Sequence, residues 1–179
     1  MARIDSKRGR MNNDQATDKA FQAMRGYAEN NGDWLTYYRF DPDSTVMHDV
    51  YDEAISGGLR YLPPVRVKCI HVTHIEGSNE NSDRGFYYND DLDAKIAFDL
   101  FVQAGMTMAD IQTGNYLKDR VLYDRKLFSV TQLAIAGQIQ ERDWVVGLSA
   151  TQLKPDELVK DAQFAAWSLG GPNDQQGTE

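Results

Sequence analysis

Leu92-Asp93-Ala94-Lys95-Ile96-Ala97-Phe98-Asp99-Leu100 decides how the chain is read. Leu92, Ala94, Ile96, Phe98 and Leu100 fall on every second position, and Asp93, Lys95 and Asp99 take the other face. A period of two is the signature of a half-buried strand. A helix would bring Asp99 onto the stripe formed by Leu92, Ile96 and Leu100, so it fits worse. The same grammar recurs downstream. Arg120-Val121-Leu122-Tyr123 leads through Asp124-Arg125-Lys126 into Leu127-Phe128-Ser129-Val130-Thr131-Gln132-Leu133. A loop around Gly137–Arg142 then returns to Trp144-Val145-Val146-Gly147-Leu148-Ser149-Ala150. This is a three-stranded meander, with Trp144, Val146, Leu148 and Ala150 on its core face.

Upstream, Trp34–Phe40 suits a pleated surface and is broken by Asp41-Pro42. Val65–Ile75 is a further strand. Ala16, Ala20, Ala23, Met24 and Tyr27 recur at helical spacing over Asp14–Tyr27, and Asn30-Asn31-Gly32 supplies left-handed residues to stop that helix. Met106–Ile111 suits a short helical turn. Pro155-Asp156-Glu157 opens a C-terminal helix running to about Trp167, with proline in its first turn and two carboxylates at the positive end of its dipole. The expected fold is mainly β, a small β-barrel of five or six strands with flanking N- and C-terminal helices. A basic arm (1–13) precedes the single domain (14–167), and a polar tail (168–179) follows it.

At 179 residues the chain is long enough to bury a real core. Nineteen basic residues against twenty-seven acidic give a net charge of −8, which argues against a protein that grips nucleic acid through its phosphates. No apolar run is long enough to span a bilayer, so no membrane association is expected. The basic N-terminus lacks the apolar stretch of a secretory signal. A single cysteine, Cys69, excludes an internal disulfide and a multi-thiolate zinc site.

Two segments stand out for function. Asp41–Pro64 carries Val46, Met47, Val50, Tyr51, Ile55, Leu59, Tyr61 and Leu62 without core periodicity. Such a segment packs back onto its own domain or docks onto a neighbouring subunit. Val50, Tyr51, Tyr61 and Leu62 are its candidate contact residues. Gly77–Asp91 reads as a polar loop. From Glu76 to Asp99 there are seven acids and two bases, a pattern that suits a solvated or cation-binding loop. It lacks the ligand spacing of a calcium hand. Cys69, His71, His74 and Glu76 invite a metal reading, but on a strand His74 faces away from Cys69 and His71, so ordinary strand histidines are the better account. Nucleophile elbows, phosphate-binding glycine loops and dinucleotide fingerprints are absent. The chain is expected not to be an enzyme and to need no cofactor.

Tyr38-Arg39-Phe40-Asp41-Pro42, Val50-Tyr51-Asp52-Glu53-Ala54, Gly57-Gly58 and Tyr61-Leu62-Pro63-Pro64-Val65 resemble the front half of head-to-tail connector proteins of actinobacterial tailed phages. The likeness continues in Glu76–Tyr87, in Lys118–Asp124 and in Ala150–Leu158, and so covers most of residues 34–167. The wider pattern looks like the stopper, or head-closure, proteins of long-tailed phages. The resemblance implies a β-barrel that forms a homo-oligomeric ring in the virion neck. Portal and adaptor proteins would lie on the head side, and tail terminator or tail tube proteins on the other. It also implies a loop between two strands that projects into the channel as a gate, here Gly77–Asp91. Its candidate residues are Glu80, Asn81, Asp83, Arg84, Asp90 and Asp91. Negative charge there would let double-stranded DNA pass without adhesion. A tail terminator or an adaptor ring is the nearest alternative, though an adaptor should be mostly helical. A small metal-dependent hydrolase using His71 and His74 is the alternative from another class.

Overall fold

The computed structural model describes residues 13–46, 48, 54, 58–82, 85–139, 142–153 and 163–164. Helix α1 (Asn13–Asn31) is followed by strands β1 (Trp34–Tyr38), β2 (Val65–Lys68), β3 (His71–Ser82) and β4 (Gly85–Ala97). Two short helices, α2 (Phe98–Gln103) and α3 (Met108–Thr113), and a 3-10 turn at Asn115–Lys118 lead into β5 (Arg120–Tyr123), β6 (Lys126–Ile139) and β7 (Arg142–Gln152). The seven strands form one antiparallel sheet in the order β2-β1-β5-β6-β7-β4-β3.

The alternation at Leu92 has the expected cause. Leu92, Ala94 and Ile96 are buried while Asp93 and Lys95 are exposed. It is interrupted at Ala97, which is buried next to Ile96. Phe98, Asp99 and Leu100, read as strand, instead belong to α2, which sends Phe101 into the core. Phe98 and Leu100 pack partly buried against the same core while Asp99 stays exposed, so the alternation runs on through a turn of helix.

Two polar stretches read as loops are strands. Residues 77–91 lie mostly in the β3–β4 hairpin, whose last pair is Ser82↔Gly85, and 137–142 lie at the β6–β7 hairpin, whose last pair is Ile139↔Arg142. Ladder hydrogen bonds come from the backbone, so a hairpin that leaves the core keeps its pairing without an apolar alternation to betray it. At the β5–β6 turn, Asp124 and Arg125 take φ of 44° and 63°, the left-handed conformation of a two-residue hairpin. Lys126, read as turn, opens β6.

The outer strands of the sheet are consecutive in the chain, with only Cys69 and Ile70 between them. The Cys69 N–H donates to the Asp33 carbonyl and the Ile70 N–H to the Lys95 carbonyl, both within 2.9 Å. The backbone therefore passes from one margin of the sheet to the other in two residues. The inward faces of six strands meet in one core: Leu35, Val67, Leu92, Ile96, Val121, Phe128 and Val146, with Cys69 among them. The sheet is curled over itself. The closed small barrel expected from sequence is not what the pairing gives. No ladder joins β2 to β3 among the described residues, because the chain bends between them.

Trp144 also departs from expectation. It is partly buried, lies outside the central cluster and packs on Phe21 of α1 at 6.2 Å between ring centres. Val145 and Val146 are both buried beside it. The bulged β6–β7 register around Gly137 breaks the simple alternation there. Residues 1–12 of the expected basic arm, nearly all of the segment expected as a C-terminal helix and the polar tail lie outside the described residues.

Helix α1 ends where the sequence places its stop, but for another reason. Gly32 has no left-handed φ. A Cβ there would lie 2.0 Å from the Cys69 carbonyl oxygen and 2.5 Å from that of Ala28. Glycine is required because the helix end is pressed against the crossing backbone. Gly32→Ala is accordingly expected to lower stability by about 1–3 kcal/mol, read as a lower urea midpoint at unchanged slope. A wild-type midpoint would contradict the close approach.

Candidate functional site

The sequence assigns most of its functional residues to 77–91, and the fold gives this segment a definite form. Strand β4 pairs with β7 only from Asp91↔Thr151 to Ala97↔Val145. Beyond that point β3 and β4 continue alone, from Ser78↔Asn89 to Ser82↔Gly85. Five paired levels at the usual strand rise make a two-stranded ribbon about 15 Å long. Glu80 sits opposite Tyr87, and Asn81 opposite Phe86. Asp83 and Arg84 fall between the strands, outside the described residues. Asp91 pairs with Ile75 at the ribbon's base.

Asp90 is set apart from these. The register slips between Ile75 and Ser78, so Glu76 and Gly77 together face Asp90. Gly77 takes φ +74°, the left-handed glycine of a bulge. Asp90 is 5% exposed, and a buried carboxylate has to be hydrogen-bonded. The Gly77 N–H donates to its Oδ1 at 2.9 Å, and Lys126 Nζ donates to its Oδ2 at 2.6 Å. His74 Nε2 also meets Oδ2, at 3.1 Å. Burial alone would raise the Asp90 carboxyl. The bonds from Lys126, Gly77 and His74 outweigh it and hold the group below its ordinary 3.8. The Lys126 ammonium is shifted the other way, chiefly by its hydrogen bond to Asp90.

Three strands thus meet on one carboxylate: β3 through His74 and the bulge, β4 through Asp90 itself, β6 through Lys126. The His74 ring stands edge-on to Tyr123 and Phe128, at 6.0 and 5.8 Å. Glu76 Oε1 approaches Lys126 Nζ at 3.7 Å and His74 Nδ1 at 3.9 Å. An ammonium group lies between the carboxylates, where a metal reading would put the cation. Of the other residues in that reading, His71 is exposed and pairs with Thr73 Oγ1. Burial pushes the Cys69 thiol up to about 12, which keeps it a protonated, unreactive core residue.

The candidate contact residues separate. Val50 and Tyr51 are outside the described residues. Tyr61 is buried in a second cluster with Leu127, Leu153 and Phe164. Its ring lies 5.1 Å from that of Phe164, and Phe40↔Tyr61 forms a bridge. Leu62 stays 40% exposed. The Tyr61 end of the 41–64 segment thus packs onto its own domain. Nearby, Asp119 accepts from the Tyr37 hydroxyl and the Phe40 N–H, each at 2.7 Å. Burial raises the Asp119 carboxyl and the Tyr37 hydroxyl alike. Arg39 bridges to Asp110 and to the Gly105 carbonyl, and so fixes β1 to the helical corner.

Lys126 is the member of this cluster that sequence reasoning did not name. Nothing local links position 126 to position 90. The only available signal was a lone lysine opening an apolar strand in a chain with an acidic run to be balanced.

No family model matches the chain, and no curated protein does either. Among solved structures, this chain matches weakly a chain of the virion of a native gene transfer agent particle. The identity is 12% and the TM-score 0.41, over 68% of this chain and 94% of that chain.

The Asp90 cluster has a pH signature. A folded-state pKa below 3.8 means that Asp90 adds stability above that value and loses it as pH falls through the lowered one. Asp90→Asn should cost about 1.5–3 kcal/mol at neutral pH, the usual loss for a hydrogen bond to a charged group. The gap between variant and wild type should close below pH 3.8 in denaturant titrations. A gap that stays constant with pH would refute the ionised Asp90 pin.

Proposed function

We propose that the protein is a structural ring component of a phage neck, a head-to-tail stopper that closes the DNA-filled head and offers a docking surface to the tail. The observation that supports this reading most is the ribbon at 77–91. There β3 and β4 continue past the β4–β7 ladder, and the ribbon coincides with the segment that the resemblance assigns to the channel. Apart from the buried Asp90, whose charge Lys126 already meets, the segment carries Glu80, Asp83 and Asp91 against Arg84, a net negative balance that suits a surface phosphates slide past without binding. A paired ribbon anchored by Asp90 is better suited to hold a gate in register than an unpaired loop would be.

On this reading the protein is made in the host cytoplasm and resides in the virion neck, with no catalytic residue and no cofactor. Its partners are copies of itself, portal or adaptor proteins above and terminator or tail tube proteins below. Packaged DNA passes through without sequence-specific contacts. No described helix is long and apolar enough to cross a membrane. The seven-stranded sheet favours a stopper over a mostly helical adaptor.

Deleting Glu80–Arg84 separates function from folding, because only ribbon pairs are lost. The purified variant should keep its stability to within about 0.5 kcal/mol. Particles carrying it should lose packaged DNA or fail to join tails, with a fall in infectious titre. Unchanged titre and DNA content would remove the ribbon from any gating role.

A further inference from the structure

A groove of about 530 Å³ opens between α1, the start of α2 and the β6–β7 hairpin, away from the ribbon. Phe21 and Phe98 supply apolar walls, and Asp18, Asp99 and Asp143 bring three carboxylates against one guanidinium, Arg142. Arg142 Nη1 already donates to Asp18 at 2.7 Å, and Gln138 Nε2 to Asp143 at 2.7 Å. One hydrogen bond uses little of a carboxylate's acceptor capacity. Such a surface fits a flat cation that can lie on an aromatic face and fork to a carboxylate, which describes arginine better than lysine.

The chain carries a matching segment. Residues 1–12 hold Arg3, Lys7, Arg8 and Arg10 against the single acid Asp5, and three of the four cations are arginine. The segment joins α1 at Asn13, and the groove begins at Asp18 on that same helix. Five residues of helix are only about 7.5 Å along its axis, and twelve extended residues reach about 40 Å. Gly9 and Asn12 are turn-forming residues placed before the helix. A tether this short gives an effective concentration in the millimolar range, which favours the chain's own groove over that of a second copy.

We propose that residues 1–12 fold back and dock in the Phe21–Phe98–Asp99–Asp143 groove of their own chain. The arm's cations are then masked in the isolated subunit. Docking holds through charge pairs and guanidinium stacking, so it weakens with salt.

Timed trypsin cleavage of the full-length protein, followed by mass spectrometry at Arg3, Lys7, Arg8 and Arg10, tests this. Wild type at low salt should be cut roughly five- to tenfold more slowly at these sites than a free peptide of residues 1–12. Asp99→Lys with Asp143→Lys should abolish that protection while leaving the circular dichroism spectrum unchanged. Should that variant misfold, 0.5 M NaCl on wild type should remove the protection, with the free peptide correcting for any effect on trypsin. Cleavage at the free-peptide rate in wild type at low salt would overturn the proposal. So would protection that survives both the substitutions and the salt, and so would protection that grows with protein concentration, which would put the arm on a second copy.

Discussion

The passage of the backbone through Cys69 and Ile70 constrains the rest of the molecule. A seven-stranded twisted sheet ordinarily leaves two distant margins, each with unpaired backbone groups. Here two residues carry the chain from one margin to the other, and their N–H groups are held by Asp33 and Lys95. The sheet has to curl for that connection to be made, and the curl is what lets a single layer bury its own face. Phe101, Phe128 and Val146 can then share one core without a second sheet. The end of α1 abuts the same crossing, which leaves room only for a glycine at position 32. Helix placement, curl and core therefore depend on one short stretch of backbone.

The curl also makes the ribbon possible. Once β3 lies outside β4 as the last strand, its extension past Ile75 has only β4 to pair with. A two-stranded hairpin is marginal in water by itself, so it needs an anchor at its root. The Gly77 bulge turns Asp90 inward, and the Lys126 ammonium from β6 fixes it. A removable surface feature is thus tied to the body of the sheet by a buried charge. Breaking such a tie costs more than an exposed ion pair would, because a carboxylate is left without its counter-ion.

Much of the fold is legible in the sequence because burial is written as periodicity. Leu92–Ile96 and the strand through Val146, Leu148 and Ala150 show it, and α1 announces itself at helical spacing. What escapes is whatever the backbone does without apolar side chains. Ser78–Ser82 and Gly85–Asn89 pair through their backbones, and the Ser, Asn and Glu residues among them read as a loop. The C-terminal end of β4 escapes for the opposite reason, since Phe98 and Leu100 continue the alternation into what is a helix. In the candidate site, the acidic character of 77–91 was plain, and Asp90 was among the residues named. Its partner Lys126 was not, because a contact across 36 residues leaves no local mark. Tyr61 shows a further limit: an aromatic on an irregular segment looks the same in sequence whether it waits for a neighbour or packs under Phe164.

The stopper reading joins these features into one account, in which a curled sheet presents an anchored acidic ribbon to a DNA channel. Cryo-electron microscopy of the neck of the particle that contains this protein tests it most directly. The account predicts a ring between the adaptor and the first tail ring, with residues 77–91 directed at the axis. A ring seated on the tail tube itself, a ribbon pointing away from the channel, or absence of the chain from the particle would contradict it.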